Sequence, residues 1–167
     1  MVNRIELMRD ARGWIATGLG SGLAPVAPGT FGTLAALPAC WALGHFLPLW
    51  GYLLATITLF CVGWWAAAWV VHTYKVEDPG VIVIDEWAGM AITWLPVAYW
   101  PQTQNFWLVL AAAFVAFRAT DIVKPWPASW ADAKVQGGFG AMLDDAFAGL
   151  WSAAVMLLLL WFEVFAS

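Results

Sequence analysis

The stretch LAALPACWALGHFLPLWGYLLATITLFCVGWWAAAWVV, residues 34–71, decides the fold class. It contains no Asp, Glu, Lys or Arg, and Pro48 and Gly51 divide it into two apolar runs, 34–50 and 52–71. The second run would be about 30 Å long as a helix, which is the thickness of the hydrocarbon core of a bilayer. We therefore predict a helical hairpin that crosses and recrosses a membrane.

The composition of the whole chain agrees with a membrane location. Hydrophobic residues make up 63% of the 167 residues and charged residues 11%, against roughly 45–50% and about 25% in soluble domains. A water-soluble surface and a disordered chain are both excluded. The net charge of −4 leaves no basic face for a phosphate backbone, so we expect lipid or small-molecule partners and no nucleic acid. We infer no obligate protein partner from the sequence.

Three further apolar runs follow, at 87–100, 106–117 and 146–166, and they complete a five-span topology. The runs at 87–100 and 106–117 are short, so this pair either crosses or dips in without crossing. In the five-span topology every basic residue lies on one side, which the positive-inside rule makes cytoplasmic. These residues are Arg4, Arg9, Arg12, Lys75, Arg118, Lys124 and Lys134. We predict an all-α polytopic protein, a single domain over 1–167, with polar loops and short helices on the cytoplasmic side forming the site.

The first polar segment is GLGSGLAPVAPGTFGT, residues 18–33. Its five glycines and two prolines argue against a regular helix and leave backbone amides free. It is a candidate phosphate-cradling loop that ends at a helix start near Thr30. The alternative is a plain connector in which Thr30 is an ordinary N-cap.

The second polar segment, residues 72–90, brings Asp85 and Glu86 to the border of an apolar helix. Ionisable groups at that depth are costly and are usually functional. Adjacent residues on a helix point about 100° apart, so we expect only one of the two to face a site directly. The alternative is a pair of solvated acids at a helix N-terminus, where the dipole favours them.

The third polar segment, residues 117–149, is the richest in charge. Arg118 and Asp121 share a helix face, and the prolines that follow end the helix and hold Lys124 in an extended stretch. Asp144 and Asp145 are expected in the first turn of the last helix. Their mutual repulsion calls for a cation, although an acidic N-terminal turn is the alternative.

The predicted cytoplasmic side carries ten acids against seven bases, which would repel an anionic substrate. A hard divalent cation resolves this conflict. Carboxylates without clustered Cys or His favour Mg²⁺, which proteins commonly share with a substrate phosphate. Lys124 and Arg118 would hold the remaining phosphate charge, although Lys124 alternatively only snorkels to lipid phosphates.

Three blocks of sequence resemble the phosphatidylglycerophosphatase A family of bacterial lipid phosphatases. They are GLGSGLAPVAPGTFGTLAALP, VIVIDEWAGM and FRATDIVKPWPASWADAKVQGGFGAMLDDAFAG, which cover about half the chain. The resemblance implies Mg²⁺-dependent dephosphorylation of phosphatidylglycerophosphate to phosphatidylglycerol at the bacterial cytoplasmic (inner) membrane, and helical polar segments. The family pattern falls on Gly29, Thr30, Asp78, Asp85, Glu86, Asp121, Lys124, Asp144 and Asp145.

We assign roles to residues of this set, and to Arg118 and Lys134, as follows. The expected metal ligands are Asp85, Glu86, Asp121, Asp144 and Asp145. The expected catalytic residues are Asp85, Glu86, Asp121, Lys124 and Thr30. The expected substrate-binding residues are Gly29, Thr30, Arg118, Lys124 and Lys134.

The chemistry of the attack stays open at this point. No C-x5-R or D-x-D motif is present, which argues against a cysteine or an aspartyl-phosphate phosphatase. Water, a carboxylate or the Thr30 hydroxyl remains as the attacking group. A second class of protein is a cation-coupled transporter or channel, but acids gathered at one membrane face rather than at the midplane favour an enzyme.

Overall fold

A computed structural model of the chain describes residues 2–76, 79–100 and 105–165. These residues form α-helices and one short 3₁₀ helix, Ser21–Leu23, with no strand among them, which confirms the all-α prediction. The α-helices are α1 Arg4–Leu7, α2 Ala11–Ala16, α3 Pro28–Phe46, α4 Leu49–Tyr74, α5 Ile84–Ala98, α6 Phe106–Val123, α7 Ala128–Lys134 and α8 Gly137–Trp161.

Three of the described helices, α4, α6 and α8, are long and apolar enough to cross a membrane. Helix α5 has 15 residues and is about 22 Å long, short of the roughly 30 Å hydrocarbon core. Helix α3 has 19 residues, but its first turns read PGTFGT. The five-span count is therefore not confirmed. Asp78 and residues 101–104 of the predicted far loop lie outside the described residues.

The predicted hairpin forms with shifted boundaries. Its turn lies at Leu47 and Pro48, and Gly51 stands inside α4 rather than at a break. Helix α3 begins at Pro28, so the expectation that 18–33 is irregular is wrong for its last six residues, and Thr30 is not an N-cap. Proline fits the first position of a helix because the missing N–H would be unpaired there in any case.

Helices α5 and α8 pack through two glycines, Gly89 and Gly149. A Cβ on Gly149 would lie 2.6 Å from the Gly89 carbonyl oxygen, and a Cβ on Gly89 would lie 2.7 Å from the Asp145 carbonyl oxygen. Only the absence of both side chains allows the backbones to come this close, as in small-residue contacts between membrane helices. This contact brings the first turn of α5 beside Asp145.

Hydrogen bonds hold the neighbouring helices against this pair. The Thr120 hydroxyl of α6 lies 3.0 Å from the Ala148 carbonyl oxygen and 2.9 Å from the Ser152 hydroxyl on α8. The Tyr52 hydroxyl of α4 donates to the Ala91 carbonyl oxygen of α5 at 2.8 Å. The N-terminal ends of α3, α5 and α8 and the C-terminal end of α6 consequently meet at one end of the bundle.

Candidate active site

A cavity of about 470 Å³ opens where these helix ends meet, and all three polar segments contribute to it. Nine of the ten predicted site residues line it. They are Gly29, Thr30, Asp85, Glu86, Arg118, Asp121, Lys124, Asp144 and Asp145. The tenth, Lys134, ends the short helix α7 as an exposed residue and does not line the cavity.

Three carboxylates in this cavity form a compact group. One oxygen from each of Asp85, Glu86 and Asp145 lies within 4.8 Å of the other two. The expectation that only one of Asp85 and Glu86 would face the site is wrong, since both line the cavity. They stand in the first turn of α5, and the cavity lies at the end of that helix, where two directions about 100° apart both reach it.

The group fits a hard divalent cation. The Glu86 Oε2 atom is buried and has no hydrogen-bond partner among the described residues, which is costly unless something else satisfies it. All three donors are carboxylate oxygens, the ligand type that Mg²⁺ prefers. The other two predicted ligands are paired instead, Asp121 with Arg118 and Asp144 with Lys124.

The position of Asp144 and Asp145 on α8 differs from the prediction. The helix begins at Gly137, so these residues lie two turns inside it rather than in its first turn. Both are almost completely buried. The dipole of a helix helps acids only within the first turn, so the reading of an acidic N-terminal turn is wrong as well. Two acids at this depth call for cations beside them.

Arg118 lies beside Glu86 at the start of α3. Its guanidinium contacts Asp121 at 2.5 Å, which confirms that the two share a helix face, and Glu86 at 3.8 Å. A Cβ on Gly29 would collide with Glu86 Oε1 and lie 3.2 Å from Arg118 Nη1. Gly29 is therefore the residue that allows α3 to close against this pair.

The backbone at the start of α3 offers less than a full amide cradle. Pro28 has no N–H, and the Thr30 N–H donates to the Ala27 carbonyl oxygen at 3.0 Å. The Gly29 N–H has no acceptor among the described residues. One amide, at a helix N-terminus beside Arg118, is thus free to bind an anion.

Lys124 takes a backbone conformation that differs from the predicted one. It is the C-cap of α6 in the left-handed region, with φ of 48° and ψ of 61°, rather than part of an extended stretch. Its amide donates to the Thr120 carbonyl oxygen at 2.8 Å, which is how a left-handed cap ends a helix. The side chain is turned into the cavity.

The ammonium group of Lys124 is held by two carboxylates, Asp144 Oδ2 and Asp132 Oδ1, each at 2.5 Å. Partial burial lowers the pKa of Lys124, but these two hydrogen bonds outweigh it and raise the pKa above its ordinary value. The lysine stays charged at neutral pH. Asp132 was not among the predicted site residues. It lies eight residues after Lys124 in sequence, and the packing of α7 against α8 brings the two side chains into contact.

Replacing Gly29 with alanine tests the close approach of α3 to Glu86 and Arg118. The new Cβ must push Glu86 or Arg118 aside, and displacements of about 1 Å in an active site cost on the order of 10²-fold in turnover. We expect a loss of that size in kcat/KM with an unchanged circular dichroism spectrum. Gly51→Ala is the matched control, since it lies in the first turn of α4 with only ordinary contacts around it. Full activity in Gly29→Ala would contradict the packing described here.

One end of this helical, membrane-type bundle carries a cluster of three carboxylates together with Lys124 and Arg118. Side chains of these types suit a metal-assisted phosphatase. The family model described as phosphatidylglycerophosphatase A matches residues 14–160, and the chain belongs to that family. It is a phosphatase, and this membership favours the enzyme over the transporter.

Individual relatives agree with the family assignment. The phosphatidylglycerophosphatase A of Escherichia coli K12 is 43% identical over 85% of this chain and 79% of its own. That of Haemophilus influenzae is 36% identical over 85% and 84%. A putative phosphatidylinositol-3-phosphatase of Bacteroides thetaiotaomicron is 35% identical over 88% and 92%. No solved structure matches the chain.

Proposed function

We propose that this protein hydrolyses the terminal phosphomonoester of phosphatidylglycerophosphate at the cytoplasmic face of a bacterial inner membrane, with Mg²⁺. Water is consumed, the bond from phosphorus to the glycerol oxygen breaks, and a proton passes to that oxygen, which gives phosphatidylglycerol and inorganic phosphate. Two of the relatives carry the name of this activity.

The charge of the cavity is the observation that carries the proposal. Six carboxylates line it against two basic side chains, Arg118 and Lys124. A phosphomonoester would be repelled by this lining unless a cation stood between them. Asp85, Glu86 and Asp145 would hold Mg²⁺, which when bound supplies a Lewis acid for the phosphoryl oxygens.

The remaining donors of the chain would orient the phosphate. Lys124 has three N–H donors and uses two of them on Asp132 and Asp144. Arg118 has five donors and commits one to Asp121. Together with the free Gly29 N–H, these groups offer several donors to phosphate oxygens on the side of the cavity that faces α3 and α6.

Exposed apolar residues beside the cavity support a lipid substrate. Val26 and Phe31 flank residues 27–30, which line it, and Ile122 and Val123 stand between Asp121 and Lys124. Val26, Ile122 and Val123 are each more than 70% exposed. Apolar side chains at this level suit the boundary between head groups and acyl chains, so the phosphate would enter the cavity while the chains extend to the depth of the bilayer core.

We further propose the five-span arrangement, with α3 and α5 also crossing, the N-terminus cytoplasmic and the C-terminus on the opposite face. Its support is that every basic residue lies at the cavity end or in the N-terminal segment. Reporter fusions at Gln102 and Ser167, both outside the described residues, are expected to give non-cytoplasmic signals. A cytoplasmic signal at Gln102 would rule out the five-span topology.

The function is tested by phosphate release from purified protein in detergent micelles. We expect release from phosphatidylglycerophosphate that stops with EDTA and returns with Mg²⁺ but not with Ca²⁺, whose larger, flexible coordination suits a compact three-carboxylate group less well. Phosphatidylinositol 3-phosphate is the competing substrate, because a relative carries that name. Preferential release from the inositol lipid, or release that EDTA leaves unchanged, would refute the proposal.

A further inference from the structure

A second cavity of about 420 Å³ lies at the other end of α3, α5 and α6. It is apolar and aromatic, and its described lining contains no carboxylate, Lys or Arg. His45 is its one ionisable residue, and the imidazole stacks on Trp41 with ring centroids 5.4 Å apart. The wall residues used below are Trp41 on α3, Trp94 and Val97 on α5, and Phe106 and Val109 on α6.

The same three helices line both cavities. Gly29, Glu86 and Arg118 border the polar cavity, and further along the same helices Trp41, Trp94 and Phe106 border the apolar one. These pairs are separated by 12, eight and 12 residues, or about 18, 12 and 18 Å of helix. One leaflet of a bilayer has a hydrocarbon depth of about 15 Å. The nearer wall of the apolar cavity thus lies about the depth of one leaflet away from the polar cavity.

We propose that the apolar cavity binds the end of one acyl chain of the lipid whose phosphate occupies the polar cavity. This inference rests on the proposed function and adds a chain-length requirement to it. Each methylene that moves from water into such a wall contributes up to about fourfold in affinity, whereas a methylene that moves there from lipid gains only the closer packing against the wall. A chain that is too short to descend past Glu86 to Trp94 loses this contribution.

A filling substitution tests the site through substrate length. Val97→Phe places a ring into the cavity and is expected to lower kcat/KM at least tenfold for a substrate with 16-carbon chains and to leave a substrate with six-carbon chains unchanged. Val115→Phe is the matched control, because Val115 is exposed on α6 and does not line the cavity. Equal losses with both chain lengths, or no loss with either, would overturn the proposal.

An enlarging substitution guards against a misfolded Val97→Phe protein. Phe106 is 40% exposed, so its loss is tolerable for the fold. Phe106→Ala widens the cavity and is expected to raise the relative kcat/KM for chains with a bulky terminal group. An unchanged preference for such chains would count against the site.

Photo-crosslinking tests occupancy without catalysis. A phosphatidylglycerophosphate with a diazirine at the end of one chain should label Trp41, Trp94 or Phe106, and unlabelled phosphatidylglycerophosphate should compete while phosphatidylcholine does not. Equal competition by phosphatidylcholine would show a general bilayer lipid in the cavity and overturn the inference. If the hydrolysed lipid is instead the inositol phosphate, the same labelling with that lipid keeps the chain site and refutes only the proposed substrate.

Discussion

Asp145→Asn is expected to abolish phosphate release and to remove the rise in melting temperature that we expect Mg²⁺ to give the wild-type protein. Asp145 is almost completely buried beside Asp85 and Glu86, and one oxygen of each residue lies within 4.8 Å of the others. Losing one ligand of a catalytic cation costs several kcal/mol of transition-state stabilisation, which is roughly 10³-fold or more in rate.

The metal-free variant is expected to be at least as stable as the wild-type protein. Removing one of three crowded negative charges relieves their repulsion when no cation is present. Thermal unfolding in EDTA should therefore show an equal or higher midpoint for Asp145→Asn. Asp121→Asn should weaken the thermal response to Mg²⁺ less than Asp85→Asn does, because Asp121 is paired with Arg118.

Glu6→Gln is the matched control for these measurements, since Glu6 is exposed on α1 and does not line the cavity. It should keep both activity and the Mg²⁺-dependent shift. Normal turnover in Asp85→Asn and Asp145→Asn would eliminate the carboxylate group as the metal site.

The convergence of the three polar segments could be predicted from sequence. One further pattern would also have predicted the contact between α5 and α8. The motif D-x-x-x-G occurs at Asp85 to Gly89 and again at Asp145 to Gly149. On a helix this spacing puts the carboxylate and the glycine on one face, one turn apart. Two parallel helices that pack through such glycines necessarily bring the two aspartates together.

The start of α8 could not be predicted from local sequence. Residues 137–140 read GGFG, which has poor helix propensity. The helix forms there because glycine permits close packing: a Cβ on Gly138 would lie 2.7 Å from backbone atoms of Ala67 and Ala68. Tertiary contacts override propensity at such positions, and the placement of Asp144 and Asp145 two turns inside α8 follows from them.

Asp132 was missed for a related reason. It lies on the seven-residue helix α7, too short to show a periodic pattern, and its role depends on Lys124 entering the left-handed region. Non-glycine residues take that conformation rarely, and Asn, Asp and glycine are the usual choices. A lysine in front of a proline gives no local signal of a cap whose side chain turns back to two carboxylates.

Lys124→Ala is expected to lower kcat by about 10²–10³-fold as well as to raise KM. The ammonium group is fixed in the cavity by Asp132 and Asp144 before any substrate binds, and its raised pKa keeps it charged at neutral pH. A preorganised donor that meets charge developing on the transferred phosphoryl group lowers the barrier by more than it strengthens ground-state binding. Lys124→Arg keeps the charge but not the geometry, and its kcat should fall between those of the wild-type protein and Lys124→Ala.

Lys75→Ala is the control that separates this role from snorkelling and from backbone strain. Lys75 is also the left-handed C-cap of its helix, with φ of 53°, and it is exposed and does not line the cavity. Alanine carries the same backbone penalty at both positions, so any excess loss in Lys124→Ala belongs to the side chain. A lysine that only reaches lipid phosphates would change KM in micelles and leave kcat alone. Similar kcat values for the two alanine variants would therefore leave Lys124 as an interfacial residue and remove it from the catalytic site.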